Sequence, residues 1–303
     1  MKNILFYKYV NLGNKKDLEK FQIRHLALCK RLGLKGRVLI AKEGINGNLT
    51  GENKDIETYK KELKKDKRFS DIEFKEGPTS NHNFRKMFVR IRKEIVTSGF
   101  DIDVNNKGHY VEPKELKKWY DKRNDFVIVD ARNDYEYKIG KFKNAVNLKL
   151  DTFRDFPKAI KQLSKFKNKK IVTYCTGGVR CEKASAYLRK KGFKDVYQLH
   201  GGIIKYGEQI GNKHWEGKCF VFDTRGAVDI DPKKQSKPIT QCELCNIPED
   251  TYHNCANVKC DRRFIACEKC FKILNACCSK ACRNVIKEHP GYYNKNANIG
   301  LEQ

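Results

Sequence analysis

The residues best suited to chemistry lie in a six-residue loop that starts at Cys175 and ends at Arg180. A short apolar, β-branched run before the loop predicts a buried strand, and an apolar stripe after it predicts a helix. Gly177 and Gly178 relax the steric limits on the backbone, so that successive amide N–H groups can turn toward the Cys175 sulfur. A thiol in this cradle, beside an arginine and a helix N-terminus, is expected to have a lowered pKa and to act as a nucleophilic thiolate.

Three residues of this segment are candidates for catalysis. Cys175 is the candidate nucleophile, and Arg180 is a neighbouring cation whose planar fork could hold an anion or a planar polar edge. Cys181 is either a packing residue of the following helix or a thiol that resolves an oxidised Cys175. The residues inside the loop are the candidates for substrate contact: Thr176, Gly177 and Gly178. The alternative is that Cys175 is a small buried hydrophobe in an ordinary strand-to-helix turn.

The pattern around this loop resembles the rhodanese domain. The loop has the Cys-x-x-Gly-x-Arg form of that family's active site, with Cys175, Gly178 and Arg180 in the matching positions. Further matches are a segment like the family's first sheet strand at 126–132 with Glu136 after it, a turn at 140–147 and a strand with a glycine pair at 196–202. The resemblance covers about residues 112–215 and implies an α/β domain with a parallel sheet.

Residues 1–100 are expected to form a separate unit of mixed strands and helices. Hydrophobic patterns predict strands near 4–10, 36–41, 48–50 and 72–74 and helices over 17–32 and 53–65. The second and third strands are expected to pair as a hairpin, and Asn53 or Asp55 is expected to cap the second helix. The order βαββαβ is that of a ferredoxin-like unit, which an arginine-rich strand at 88–92 extends.

Three phrases together resemble the rhodanese-domain tRNA uridine hydroxylases. They are the glycine-rich segment 41–51, the loop 175–183 and the segment 215–223. The resemblance spans nearly the whole chain and implies hydroxylation of the wobble uridine of tRNA at C5 to 5-hydroxyuridine. It also implies O₂ as co-substrate and the anticodon region of tRNA as partner. We find no flavin or nicotinamide motif in the sequence and no pattern of two histidines and one carboxylate for iron.

The chain is strongly basic, with 64 lysine and arginine residues against 37 aspartate and glutamate residues and a formal net charge of +27. This charge either attracts a polyanion, with nucleic acid first, or reflects a lysine-rich proteome whose lysines cover solvated helix faces, as at 60–65. Lys42, Arg90 and Arg92 are the candidate phosphate contacts. No apolar run is long enough to span a bilayer and no signal peptide is recognised, which predicts a cytoplasmic protein without a membrane partner. Nothing in the sequence indicates a protein partner.

Nine of the thirteen cysteines fall between Cys242 and Cys282. In a cytosolic chain, cysteines spaced in Cys-x-x-Cys pairs are typical ligands of Zn²⁺, and eight ligands make two tetrahedral sites. The predicted ligands are Cys242, Cys245, Cys255, Cys260, Cys267, Cys270, Cys278 and Cys282. Cys277 or Cys278 is left over, and spacing does not decide whether the pairs bind in sequence or crossed. Sites closed by four cysteines are structural, so no catalysis is assigned to them.

The sequence therefore predicts a multidomain protein of mixed α/β and α+β class. The expected units are a ferredoxin-like, RNA-contacting domain (1–100), a rhodanese domain (112–215), a strand and linker (216–240) and a cysteine-rich zinc-binding segment (241–303). Rhodanese domains host several chemistries, so two other functions stay open. One is sulfur transfer through a persulfide on Cys175, and the other is a scaffold that binds tRNA or protein without catalysis.

Overall fold

The N-terminal unit of the computed structural model, which describes residues 1–294, is a five-stranded sheet with two helices on one face. Its elements are β1 (Lys2–Tyr9), α1 (Lys15–Arg31), β2 (Lys35–Ala41), β3 (Gly44–Gly51), α2 (Asn53–Lys64), β4 (Phe74–Pro78) and β5 (Met87–Ile91). The strand order is β4-β1-β3-β2-β5, with β5 parallel to β2 and the other pairs antiparallel. This order confirms the ferredoxin-like prediction, the hairpin of β2 with β3 and the additional strand.

The two faces of this sheet have different partners. Ile4 and Phe6 of β1 are fully buried in the core that the sheet shares with α1 and α2. Because side chains alternate along a strand, Leu5 and Tyr7 point to the opposite face, which neither helix covers. That open face lies against the central domain, where Tyr7 hydrogen-bonds to Glu182.

The start of α2 differs from the prediction. Asn53 and Asp55 are already inside the first turn, and Glu52 occupies the N-cap position without a side-chain capping hydrogen bond. The prediction that Asn53 or Asp55 caps the helix was therefore wrong. Asp55 instead favours the helix as an acidic residue of its first turn, where the helix dipole is positive.

The central domain is built on a five-stranded parallel sheet with the order β6-β11-β10-β7-β9. Its elements are β6 (His109–Val111), α3 (Pro113–Asp121), β7 (Val127–Asp130), α4 (Asp134–Ile139), β8 (Gly140–Phe142), β9 (Val146–Asn147), α5 (Phe156–Ala159), β10 (Lys170–Tyr174), α6 (Val179–Lys190), β11 (Asp195–Leu199) and α7 (Gly202–Ile210). The prediction of a parallel-sheet α/β domain is confirmed. The segment at 126–132 supplies the second strand and not the first, because the edge strand β6 precedes it. Three residues are too few for a strand pattern to be recognised.

Three short strands follow the central domain: β12 (Trp215–Gly217), β13 (Cys219–Phe220) and β14 (Ala227–Val228). The first pairs with β8, and the other two pair with each other. One strand is predicted over 218–222, but only Cys219 and Phe220 belong to β13. The chain turns directly afterwards, where the carbonyl of Asp223 accepts a hydrogen bond from the Gly226 N–H.

The cysteine-rich tail is a small unit with its own core. It contains β15 (Tyr252–Asn254), β16 (Arg263–Ile265), α8 (Glu268–Ile273) and α9 (Lys280–Glu288). Phe264, Phe271 and Ile286 are buried there together with several of the cysteines. Across residues 1–294, no helix has both the length and the apolar character that crossing a membrane requires.

A buried ion cluster ties the N-terminal unit to the central domain. Lys183 on α6 has only 2 % of its side chain exposed, and its Nζ lies 2.9 Å from Glu94 and 3.0 Å from Glu43. A buried ammonium needs such partners, since an unpaired charge in a low-dielectric environment is strongly unfavourable. The cluster therefore holds α6, and the loop that precedes it, against the N-terminal sheet.

Candidate active site

Cys175 directly follows β10, at the carboxyl end of the central sheet, where a loop leads into α6. Gly178 is the N-cap of α6 and has a φ of +100°, a left-handed conformation that favours glycine. In this conformation the Gly178 N–H donates a hydrogen bond of 3.1 Å to the Cys175 sulfur. Cys175 is only 1 % exposed. The loop therefore forms the amide cradle that the glycines predict.

The pKa of Cys175 is lowered to about 6 although the residue is buried. Burial by itself raises the pKa of a thiol. A hydrogen bond from the Cys181 thiol, the charge of Arg180 and the amides of Arg180 and Gly178 together outweigh that effect. For Cys181 the pKa is raised, because the thiol is buried and lies beside the Cys175 thiolate. Near neutral pH the pair is therefore a thiolate at Cys175 and a protonated thiol at Cys181.

Arg180 contributes charge, but its planar fork is already occupied. Nη1 lies 2.6 Å from Oε2 of Glu136, and Nη2 lies 2.8 Å from Oε1. Both side chains are buried, and Glu136 comes from α4. In this conformation the fork is therefore paired with Glu136, and its contact with an anion or a planar polar edge of the substrate stays a prediction. A bidentate ion pair of this kind fixes the loop and leaves Arg180 to act on Cys175 through its field.

The underside of the loop is closed by the central domain. Thr176 is buried, and its hydroxyl lies 3.4 Å from a carboxylate oxygen of Glu136. The backbone N–H of Ile203, at the start of α7, donates a 3.0 Å hydrogen bond to the carbonyl of Cys175. A side chain on Gly202 would lie 2.5 Å from that carbonyl oxygen, so only glycine fits there. These contacts leave the opposite side of the loop as the approach to the sulfur.

The N-terminal sheet covers that opposite side. A Cβ atom on Gly177 would lie 2.6 Å from Cδ2 of Leu5, and one on Gly178 would lie 2.9 Å from the hydroxyl of Tyr7. Both distances are shorter than atoms of a folded protein tolerate, so the sheet packs directly on the two glycines. The glycines therefore serve the close packing of two domains as well as the conformation of the loop.

Two tyrosines of β1 anchor this cover to α6. The hydroxyl of Tyr7 donates a 2.9 Å hydrogen bond to Glu182, and the hydroxyl of Tyr9 donates a 3.2 Å bond to the carbonyl of Val179. Burial and the neighbouring Glu182 carboxylate raise the pKa of Tyr7 well above its ordinary value, so this hydroxyl stays protonated as a donor.

Sequence reasoning missed this wall of the site, which consists of Leu5, Tyr7 and Lys75. A signal was present in β1, where apolar or aromatic residues occupy both faces of the strand. Such a strand is expected to be buried on both sides. The sequence alone did not say which domain would cover the second face.

The candidate phosphate contacts lie on β5, just after it, and in the turn between β2 and β3. Arg90 belongs to β5, at the edge of the sheet opposite the β4 edge, and its guanidinium stacks 4.6 Å from the ring centroid of Phe88. Arg92 is exposed just after β5, and Lys42 is exposed in the turn between β2 and β3. The structure therefore brings Cys175, Arg180 and Cys181 together with the loop glycines. Arg90 and Arg92 lie at the β5 edge of the sheet, whereas Lys42 directly precedes Glu43, whose carboxylate lies 3.0 Å from Lys183 of α6.

The tail brings eight cysteines into two groups of four. One group is Cys242, Cys245, Cys267 and Cys270, and the other is Cys255, Cys260, Cys278 and Cys282. The pairs are therefore crossed along the chain, a point that spacing left open. Cys278 belongs to the second group, and Cys277 is the buried cysteine left over.

The sulfur positions fit a tetrahedral metal ion. Within each group the four Sγ atoms lie within 4.8 Å of one another. The Cys245–Cys267 sulfur pair is 3.7 Å apart, and the Cys260–Cys278 and Cys278–Cys282 pairs are both 3.8 Å apart. Zinc–sulfur bonds of about 2.3 Å in a tetrahedron place sulfurs roughly 3.8 Å apart. Each group could therefore hold a metal ion.

The lowered pKa of Cys175 predicts the pH dependence of its alkylation. The thiolate fraction falls as pH decreases through the pKa, so the iodoacetamide rate at Cys175, followed by peptide mass spectrometry, should have its midpoint near pH 6. Cys181→Ala removes a hydrogen bond to the thiolate and should raise the midpoint by about one unit. The control Cys219→Ala removes a buried thiol with a pKa of about 12 and should leave the midpoint unchanged. A midpoint near 9 in the unmodified protein would contradict the thiolate assignment.

Comparison with known protein families divides the chain into three matched segments. Residues 1–95 match the UPF0176 acylphosphatase like domain, residues 112–209 match the rhodanese-like domain, and residues 216–283 match the family described as rhodanase C-terminal. The second segment contains β7, β10 and the Cys175 loop. The third segment contains all eight cysteines of the two groups.

Several relatives match almost the whole chain. A protein of Cytophaga hutchinsonii named tRNA uridine(34) hydroxylase is 42 % identical over 97 % of this chain and 95 % of its own length. A protein of that name from Bacillus licheniformis is 43 % identical over 94 % of this chain and 91 % of its own length. One from Chlamydia felis is 44 % identical over 85 % of this chain and 80 % of its own length. By this extent of identity, the chain belongs to the tRNA uridine(34) hydroxylase family.

Proposed function

We propose that this protein hydroxylates uridine 34, the wobble uridine of tRNA, at C5 and uses O₂ as the source of the oxygen atom. The observation that carries the proposal is the Cys175 thiolate, held in its amide cradle in a chain that matches these hydroxylases over nearly its full length. A cytoplasmic enzyme of this kind would meet its tRNA where translation occurs.

Cys175 is proposed as the nucleophile of the reaction. The C5–C6 double bond of uracil is conjugated to the C4 carbonyl, so a thiolate can add to C6 and make C5 electron-rich enough to react with an oxidant. A persulfide or a sulfenate on Cys175 is the competing form of the same centre. Arg180 supports the thiolate by its charge, and the backbone amides of Gly178 and Arg180 hold the sulfur in place.

Cys181 is proposed as the partner thiol. Hydroxylation by O₂ places one oxygen atom on C5 and reduces the other to water, which requires two electrons and two protons. Two neighbouring thiols supply both when they close to a disulfide. The mutual effect of the two thiols on their pKa values supports this pairing, since each side chain lies close enough to shift the other.

The tRNA is proposed to bind along the basic edge of the N-terminal unit and to reach the loop with its anticodon. Lys42, Arg90 and Arg92 would contact phosphates, and Phe88 beneath Arg90 offers a ring on which a base can stack. Thr176, Gly177 and Gly178 would line the space that receives uridine 34. Because Leu5 and Tyr7 pack on these glycines, entry of the base requires the sheet to move off the loop.

The two cysteine groups are proposed to hold structural zinc, one ion in each. Four thiolates leave no open coordination position, so the ions would take no part in catalysis. They would instead stabilise the folded state of a tail that has only a small hydrophobic core. Each group takes two cysteines from before β16 and two from after it, which explains how two ions would fix the short elements of the tail.

Sulfur transfer is the second candidate function. The Gly178 N–H that donates to the Cys175 sulfur could equally stabilise a persulfide at this position. The two functions leave different marks on tRNA, since one adds oxygen to C5 and the other replaces an oxygen with sulfur.

Nucleoside mass spectrometry of tRNA separates the two functions. In a strain that lacks this enzyme, 5-hydroxyuridine and nucleosides derived from it should be absent, while thiolated nucleosides stay at their normal level. The wild-type gene should restore them and Cys175→Ala should not, because the variant has no nucleophile. If Cys181 resolves an oxidised Cys175, Cys181→Ser should make at most one hydroxyuridine per enzyme in a purified reaction. Loss of thiolated nucleosides instead would support sulfur transfer and reject hydroxylation.

Charge reversal tests the proposed RNA edge. Changing Lys42, Arg90 and Arg92 to glutamate should weaken tRNA binding and reduce the slope of log Kd against log salt by about one for each phosphate that is no longer neutralised. The matched control reverses three exposed lysines of α2 and its end, Lys61, Lys64 and Lys65, which lie on the helical side of the sheet. If both triple variants weaken tRNA binding equally, the net positive charge of the protein attracts tRNA without a specific binding edge.

Metal analysis tests the zinc assignment. Purified protein should contain about two zinc ions per chain. Cys245→Ser and Cys260→Ser should each lower the content to about one, because each removes a ligand from a different group. Cys277→Ser is the control and should retain two. A folded, active protein without metal would remove the assignment.

A further inference from the structure

Lys75 is a buried cation on the sheet face that covers the Cys175 loop. It belongs to β4 and pairs with Leu5 of β1, so its side chain lies on the same face as Leu5 and Tyr7. Its Nζ is 4.8 Å from the ring centroid of Tyr7, whose hydroxyl packs on Gly178. Only 6 % of Lys75 is exposed.

Lys75 lacks the partners that other buried cations of this protein have. No carboxylate of residues 1–294 lies within 4.0 Å of its Nζ, whereas Lys183 contacts two carboxylates and Arg132 contacts Asp130. Burial lowers the pKa of Lys75, while Glu73 and the Cys175 thiolate act on it from a distance in the opposite direction. In the described part of the chain, the Lys75 Nζ atom is not among the fully enclosed side-chain atoms without a partner, so this cation is both free of a carboxylate contact and accessible to a ligand that supplies negative charge.

The route to Cys175 passes this ammonium. The central domain closes the underside of the loop, and the Arg180 fork is taken by Glu136. A planar ring that reaches the sulfur must therefore enter between the loop and the face that carries Leu5, Tyr7 and Lys75. On that face Lys75 is the cation that lies against Tyr7, the residue whose hydroxyl packs on Gly178 of the loop.

We propose that the Lys75 ammonium lies beside the bound uracil ring and stabilises the negative charge that develops when Cys175 adds to C6. The inference rests on the proposed function, and on Cys175 as its nucleophile. In this step the S–C6 bond forms, the C5–C6 π bond breaks and its electron pair moves onto C5 and the C4 carbonyl oxygen. The charge passes from sulfur to the ring, and nothing is oxidised or reduced. A fixed cation beside a developing enolate lowers the barrier to its formation.

A covalent trap tests this step without the later oxidation. An anticodon stem-loop with 5-fluorouridine at position 34 is incubated with the full-length protein in the absence of O₂. The enolate then takes a proton from solvent at C5, and the resulting S–C6 adduct of 5-fluoro-5,6-dihydrouridine is followed on denaturing gels. Lys75→Met should slow adduct formation by about 100-fold or more, and Lys75→Arg should restore much of the rate because it keeps the charge. Binding of the stem-loop should change by less than about threefold in either variant, because the effect belongs to the transition state.

The matched control is Lys205→Met, which removes the same charge from α7. Lys205 is partly buried near the site but is paired with Glu112 at 3.3 Å, so its loss should leave the adduct rate near that of the wild type. Lys75→Gln provides a second uncharged variant, and thermal unfolding of each variant shows whether it is folded.

The outcomes separate this inference from the proposed function. If the wild type forms the adduct and Lys75→Met and Lys75→Gln form it at the same rate, the role of Lys75 is overturned. The proposed function of the protein is then unaffected. Equal slowing by Lys205→Met also overturns it, because the effect would then be one of net charge. If the wild type itself forms no adduct while it hydroxylates unmodified tRNA, addition of Cys175 to C6 is rejected, and the role of Lys75 is rejected with it.

Discussion

The close packing of the N-terminal sheet on the Cys175 loop is the contact on which the rest of the site depends. Leu5 and Tyr7 occupy the space that side chains at 177 and 178 would need. This packing removes water from Cys175 and from Lys75, and charges interact more strongly in such an environment. The ion cluster of Lys183 holds the two domains in this relative position. The site therefore belongs to both domains, although its nucleophile comes from one.

The excess of basic over acidic residues differs between the N-terminal unit and the cysteine-rich tail. Residues 1–100 contain 24 basic and 12 acidic residues, whereas residues 241–303 contain 9 basic and 7 acidic ones. The excess of positive charge that would attract a polyanion lies in the domains that form the site and not in the tail. The tail, with its two groups of four sulfurs, has the character of a metal-stabilised accessory unit.

Local patterns predicted what depends on neighbours in sequence. The amide cradle follows from the glycines after Cys175, the ferredoxin-like order from strand and helix periodicities, and the cysteine pairs from their spacing. Contacts between distant segments could not be predicted in this way. Tyr7 and Glu182 are 175 residues apart, and Glu136 reaches Arg180 from another helix. Such pairs are set by the packing of whole domains, so the occupied fork of Arg180 and the buried position of Lys75 appear only in the structure.

In the proposed reaction, this two-domain site transfers oxygen from O₂ to uridine 34 through Cys175. The most direct measurement is a reaction of the purified protein with unmodified tRNA under ¹⁸O₂ in ordinary water, followed by mass spectrometry of the nucleoside at position 34. We expect 5-hydroxyuridine that carries the heavy isotope, at a level that depends on intact Cys175. Hydroxyuridine with oxygen from water, or an unchanged yield with Cys175→Ala, would contradict this reaction.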